Sequence, residues 1–175
     1  MWAYRLALSL GDPLRLHERL VVGEETDPAL RRLVAEGYFR RGCVLRDRGR
    51  LDQALAVLQR GALVDPQHPA LHAAVGAIFL RLERDQAAVS WLERAVELDA
   101  RQAEWHALLA RAFERTGRTT EALRHYEAAL RLDPAAGAVQ EGVQRLQERQ
   151  RQQTDLAAQL PWWQQPWQPA RSDRP

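Results

Sequence analysis

The sequence predicts an all-α fold, a stack of three helix pairs, and three observations carry that expectation. The first is an interval of 34 residues kept in phase along the chain: Gly42 with Gly76, Ala54 with Ala88 and Ala122, Leu58 with Leu92 and Tyr126, Gly61 with Ala95 and Ala129, Leu45 with Phe79 and Phe113. Small, large and turn residues do not fall in phase three times over by chance. The second is that each unit holds two segments with apolar residues three and four apart, the spacing of a helix with one buried face. In the third unit these are Leu108-Leu109 and Ala112-Phe113, then Ala122-Leu123, Tyr126 and Ala129-Leu130. The third is punctuation. Gly49-Arg50 and Gly117-Arg118 separate the two segments, where glycine can take the left-handed conformation that ends a helix, and Asp65-Pro66, Asp99-Ala100 and Asp133-Pro134 close the units. One such pair cannot hide its apolar face alone, so neighbours must stack to supply the missing wall, and three units are about the minimum.

The elements follow in order. Residues 1–34 form an N-terminal extension. Trp2, Tyr4, Leu6, Leu8 and Leu10 alternate as in a strand, a short helix is the alternative, and both stay open. Asp12-Pro13 starts a short helix through Leu14, Leu16, Leu20 and Val21, which ends before Gly23. Thr26-Asp27-Pro28 is a second start signal, a capping side chain followed by proline in the first turn. From there Leu30, Leu33-Val34, Tyr38 and Leu45 run as one stripe, so the first repeat helix is lengthened at its N-terminus. The units span 35–68, 69–102 and 103–136. Val139, Val143 and Leu146, on a glutamine- and arginine-rich background, predict a capping helix over 137–154. Residues 155–175 form a tail of different character, with Pro161, Pro166 and Pro169 set among Trp162, Trp163 and Trp167, a composition suited to extended, polyproline-like geometry.

The series Tyr38, Arg41-Gly42, Leu45, Ala54, Leu58, Gly61, Pro66 resembles the tetratricopeptide repeat (TPR). So do His72, Val75-Gly76, Phe79, Ala88, Leu92, Ala95, Ala100 and His106, Leu109-Ala110, Phe113, Ala122, Tyr126, Ala129, Pro134. Departures are Arg41 at an apolar slot, His72 and His106 at the first aromatic slot, and Ala100 for the closing proline. The resemblance implies a right-handed superhelix whose concave groove, lined by the first helix of each repeat, takes an extended or helical peptide. Carried over position by position, the lining is Glu36, Phe39, Arg40, Cys43 and Asp47, then Ala70, Ala73, Ala77, Leu80 and Arg81, then Glu104, Ala107, Arg111 and Glu114. One TPR subclass grips the terminal carboxylate of chaperone tails with lysine, asparagine and arginine. At the matching positions this chain has Phe39, Cys43, Ala74, Glu104 and Leu108, so the clamp is absent. An alanine floor with charges at both ends suits an apolar segment presented internally.

Composition narrows the function. The 175 residues are 46% hydrophobic and 27% charged, which excludes wholesale disorder. The formal charge is +2, from 25 basic residues, all arginine, against 23 acidic ones, too little surplus for a dedicated nucleic-acid binder. Cys43 is the sole cysteine, so no intrachain disulfide and no cysteine-based zinc site can form. In a repeat helix it reads as a small apolar filler rather than a nucleophile. His68 and His72 are four apart, but Pro69 puts His68 ahead of the helix and further ligands are missing, so no metal, cofactor or catalytic residue is expected. His72 and His106 read as stacking against helix neighbours. The start of the chain lacks a basic leader and a cleavage site, no run approaches the ~20 apolar residues of a spanning helix, and a cytoplasmic protein is expected.

Two further features bear on partners. Arg40, Arg41, Arg46, Arg48 and Arg50 form the densest charge cluster, read either as a solvated face balanced by Asp47 and Asp52 or as an anion-binding patch. Trp162, Trp163 and Trp167 each offer ~150–250 Å² for burial, so docking into the groove or onto a partner is expected of the tail. Together these predict a non-enzymatic adaptor or assembly factor that binds a protein or peptide, with no small-molecule substrate. A cytoplasmic secretion chaperone for translocator-type subunits is one alternative, because three repeats behind an N-terminal helical extension are similar to the type III secretion chaperones of TPR type. The other is a regulatory subunit holding an enzyme or nucleic acid through Arg40–Arg50.

Overall fold

The computed structural model describes residues 28–159; residues 1–27 and 160–175 lie outside, and with them the strand-or-helix alternative at the start and the tryptophan tail. The described residues form helices joined by short turns, with no strand among them: α1 Pro28–Asp47, α2 Leu51–Val64, α3 Pro69–Arg81, α4 Asp85–Leu98, α5 Ala103–Arg115, α6 Thr119–Leu132 and α7 Gly137–Gln159. α1 pairs with α2, α3 with α4 and α5 with α6, and each second helix packs on the first helix of the next unit, with α7 closing the stack on α6. α1 also meets α3, and α3 meets α5, so the first helices form the inner wall of a right-handed superhelix.

The turn inside each pair is one motif repeated. Gly49, Glu83 and Gly117 take φ of 75°, 58° and 79°. The next residues, Arg50, Arg84 and Arg118, donate their backbone N–H to the carbonyls of Leu45, Phe79 and Phe113, each at 2.9 Å. This is a Schellman ending, in which a left-handed residue lets the chain return onto its own last carbonyls. The middle repeat holds that conformation with a glutamate, whose Cβ crowds its own backbone. Glu83→Gly is therefore expected to raise the unfolding free energy by about 0.5–1 kcal/mol, the relief exceeding glycine's entropy cost. Urea unfolding checks it, and an unchanged or lower midpoint contradicts it.

The turn between repeats is equally regular. Asp65, Asp99 and Asp133 each accept a hydrogen bond at Oδ1 from the backbone N–H two residues on, all at 3.1 Å. Such turns bend the chain without a glycine. Across each turn the next first helix reaches back. His72 Nε2 lies 2.9 Å from the Pro66 carbonyl, His106 Nε2 lies 3.1 Å from that of Ala100, and Gln140 Nε2 donates to that of Pro134 at 2.8 Å. Each imidazole is buried and satisfies a carbonyl the turn leaves open. His72 also packs against Trp91 with the rings tilted by 33°, and His106 stacks on His125, one repeat further on. The histidines at aromatic slots are thus structural bolts between repeats.

Ala54, Ala88, Ala122, Leu58, Leu92 and Leu109 are all but inaccessible. Helices close up where side chains are smallest. A Cβ at Gly76 would stand 2.5 Å from Leu92 Cγ, and one at Gly61 would stand 2.7 Å from Tyr38 Cβ. α7 buries Val139, Gly142 and Leu146 and then continues to Gln159, beyond the expected end near 154. Between Leu146 and Gln159 the good helix formers glutamine, glutamate, arginine, alanine and leucine predominate over Thr154 and Asp155, and there is no proline.

Candidate functional site

The expected groove residues lie on α1, α3 and α5, the first helices that meet one another, and their surroundings differ. Ala70 and Ala77 on the middle repeat and Ala107 on the third are half-buried, with no polar atom beyond the backbone. Arg81, Glu104 and Arg111 stand exposed around them. At the first repeat Phe39 and Cys43 are half-buried, and Phe39 lies against His68 with ring centroids 5.9 Å apart and the rings tilted by 35°. Glu36 accepts from Arg40 Nε at 2.7 Å and has His68 Nε2 at 3.5 Å, so its charge is shared before any ligand arrives. Beside it lies a hollow of about 490 Å³ lined by Ala29, Arg32, Leu33, Glu36, Asp65, Gln67, His68 and Pro69. Asp47 pairs with Arg46 at 2.9 Å, at the far end of α1.

Three of the expected lining residues do other work. Ala73 and Leu80 are each only 4% exposed and belong to the core, because α3 is enclosed between α1 and α5 as well as by its partner α4. Glu114 is held by the capping helix: Arg145 donates to its carboxylate through Nε at 3.0 Å and a second nitrogen at 3.2 Å, and the Tyr126 hydroxyl donates at 3.0 Å. Burial pushes the Glu114 carboxyl up, but the Arg145 and Tyr126 hydrogen bonds outweigh it and hold the pKa below the ordinary value. Burial first, then the neighbouring Glu114 charge, raises the Tyr126 phenol. Glu114 thus ties α5 to α6 and α7.

Sequence reasoning also missed Arg115. It donates to the Leu80 carbonyl at 3.0 Å and ion-pairs with Asp85 at 2.9 Å, tying the end of α5 to the α3–α4 turn. The 35-residue separation leaves no local signal for that contact.

Among the described residues no group of histidine, cysteine, aspartate and glutamate could hold a metal ion. Burial pushes the Cys43 thiol up, against the pull of Arg46, the reverse of an activated nucleophile. No helix among the described residues is long and apolar enough to cross a membrane.

The histidines make stability pH-dependent. Burial depresses the pKa of His72 despite its carbonyl bond, and burial followed by the nearby His106 depresses that of His125. The unfolded chain then binds more protons than the native one in acid, so stability rises with pH there. The contribution is complete above about pH 6.5, the ordinary histidine value, and is lost as pH falls through the depressed native values. The melting temperature is expected to be lower at pH 5 than at pH 7.5, and His125→Phe should flatten that slope. Equal melting temperatures for the native chain contradict it.

With this geometry in place, comparison with known proteins is direct. Tetratricopeptide-repeat family models match residues 39–103 and 103–136, end to end across the helix pairs. The chain belongs to the tetratricopeptide-repeat family. Among solved structures, this TPR chain is similar to the first TPR of Spaghetti (RPAP3) bound to the HSP90 peptide SRMEEVD, with 21% identity, a TM-score of 0.66, and 73% of this chain and 98% of that one covered. It is also similar to the Arabidopsis OM64 TPR domain, at 19% identity and a TM-score of 0.63, covering 66% and 95% of the two chains. MamA gives 18% identity and a TM-score of 0.64, with 82% of each chain covered. These likenesses establish the fold. No curated protein matches the sequence.

Proposed function

We propose that this TPR protein is a non-enzymatic protein–protein interaction module, an adaptor or assembly factor acting in the cytoplasm, that holds an apolar peptide segment along its inner wall. The observation that carries this reading is the row of half-buried alanines, Ala70, Ala77 and Ala107, framed by exposed Arg81, Glu104 and Arg111. Apolar contact supplies the affinity, and the charges at the margin set register and direction. The similar RPAP3 domain is bound to a peptide ending in EEVD. Here Phe39, Cys43, Ala74, Glu104 and Leu108 stand where the lysine, asparagine and arginine of a carboxylate clamp would be, which favours an internal segment over a free chain end.

The test is peptide display against the full chain, followed by affinity measurement on the best binders. Selected peptides should be rich in apolar residues, and Ala77→Arg should weaken them at least about tenfold by placing a charge on the floor. Affinity should change little between low and high salt, since apolar contact is not screened. Acidic selected peptides, with steep salt dependence and indifference to Ala77→Arg, would point away from this groove.

A further inference from the structure

The arginine cluster of the first repeat divides in two. Arg40 pairs with Glu36 and Arg46 with Asp47. Arg41, Arg48 and Arg50 turn instead toward a cleft of about 510 Å³, where they are joined by Arg60 from α2. Val44, Leu45, Ala56 and Val57 line its apolar part, and no acidic residue lines it. Among the described residues none of these four arginines has a carboxylate partner.

The position of this cleft in the stack gives it meaning. Arg41, Val44 and Leu45 occupy the slots of Val75, Ile78 and Phe79 in the second repeat and of Leu109, Ala112 and Phe113 in the third. Those six are buried. In the first repeat the same surface carries an arginine at the apolar slot, and Val44 is 48% exposed. The surface therefore keeps the shape of a helix-stacking face and adds uncompensated positive charge.

We infer that the cleft between α1 and α2 is a second binding site, distinct from the alanine groove, for an acidic peptide segment of a partner protein that also carries apolar side chains. Carboxylates match the planar, multiply donating guanidinium groups. The apolar floor takes aliphatic side chains that a nucleic-acid backbone would not offer. The near-balanced charge of the whole chain, +2, likewise favours a short acidic segment over an extended polyanion.

The experiment is fluorescence anisotropy with the full chain and a labelled peptide of repeated Glu-Glu-Leu. Its controls are the matching Gln-Gln-Leu peptide, a single-stranded oligothymidylate, and an unlabelled peptide of residues 160–175 as competitor. The acidic peptide should bind, weaken about tenfold in Arg48→Glu/Arg60→Glu, weaken less in Arg48→Gln/Arg60→Gln, and be unaffected by Ala77→Arg. Circular dichroism confirms that each variant keeps its helices. Equal binding of the neutral peptide, oligothymidylate binding as tightly, displacement by the 160–175 peptide, or indifference to both arginine variants would each overturn the assignment. Loss with Ala77→Arg would move the peptide to the groove and overturn it too.

Discussion

Leu92→Ala is expected to lower the unfolding free energy by about 3–4 kcal/mol. Leu92 is fully buried in the middle repeat and packs on Gly76 of the paired helix. Neighbouring repeats press on both sides of that pair, so the cavity cannot collapse easily and the cost falls toward the upper part of the usual range. The reciprocal change, Gly76→Ala, puts a methyl 2.5 Å from Leu92 Cγ and should cost about 1–3 kcal/mol by overpacking. The double variant should then be less destabilised than the sum of the two, because the new methyl partly fills the space the leucine vacates. Urea unfolding of the single and double variants checks this. Additive losses would mean that the two residues do not share one space.

Glu114→Ala is expected to release the capping helix. The substitution removes the acceptor for Arg145 and leaves the buried Tyr126 hydroxyl without its partner, at a cost of about 2 kcal/mol once the half-exposed Arg145 is discounted. Amide exchange should accelerate along α7 while α3 stays protected, since each unit of such an array leans on its neighbours only. Glu114→Gln, which can still accept from Tyr126, should recover part of the loss. Unchanged protection of α7 in the alanine variant would mean that Val139, Gly142 and Leu146 hold the helix without help.

What the sequence made legible was whatever recurs. The fixed interval named the helix pairs, the buried alanines Ala54, Ala88 and Ala122, and the turns at Gly49 and Gly117, because each is imposed by contacts close in sequence. Glu83 stands in phase with Gly49 and Gly117, so the interval points to it as a left-handed residue although nothing in a glutamate itself advertises that backbone. Ala70, Ala77 and Ala107 lie half-buried on the first helices, whereas Glu114 is held by other side chains and Leu80 is in the core. Which side of a helix faces a ligand depends on what its neighbours cover. Glu114 is claimed by Arg145, 31 residues away, and Leu80 by the enclosure of α3 between two other first helices. The arginine cluster read as one feature along the chain. In space it separates into paired Arg40 and Arg46 and a cleft that recruits Arg60 from the other helix.

The account rests on the inner wall being where a partner lies. Amide chemical-shift mapping of the full chain, titrated with the tightest apolar peptide from display, tests this most directly. The account predicts the largest shifts at Ala70, Ala77, Arg81, Ala107 and Arg111. Shifts gathered instead on α2, α4 and α6, with those alanines silent, would contradict it.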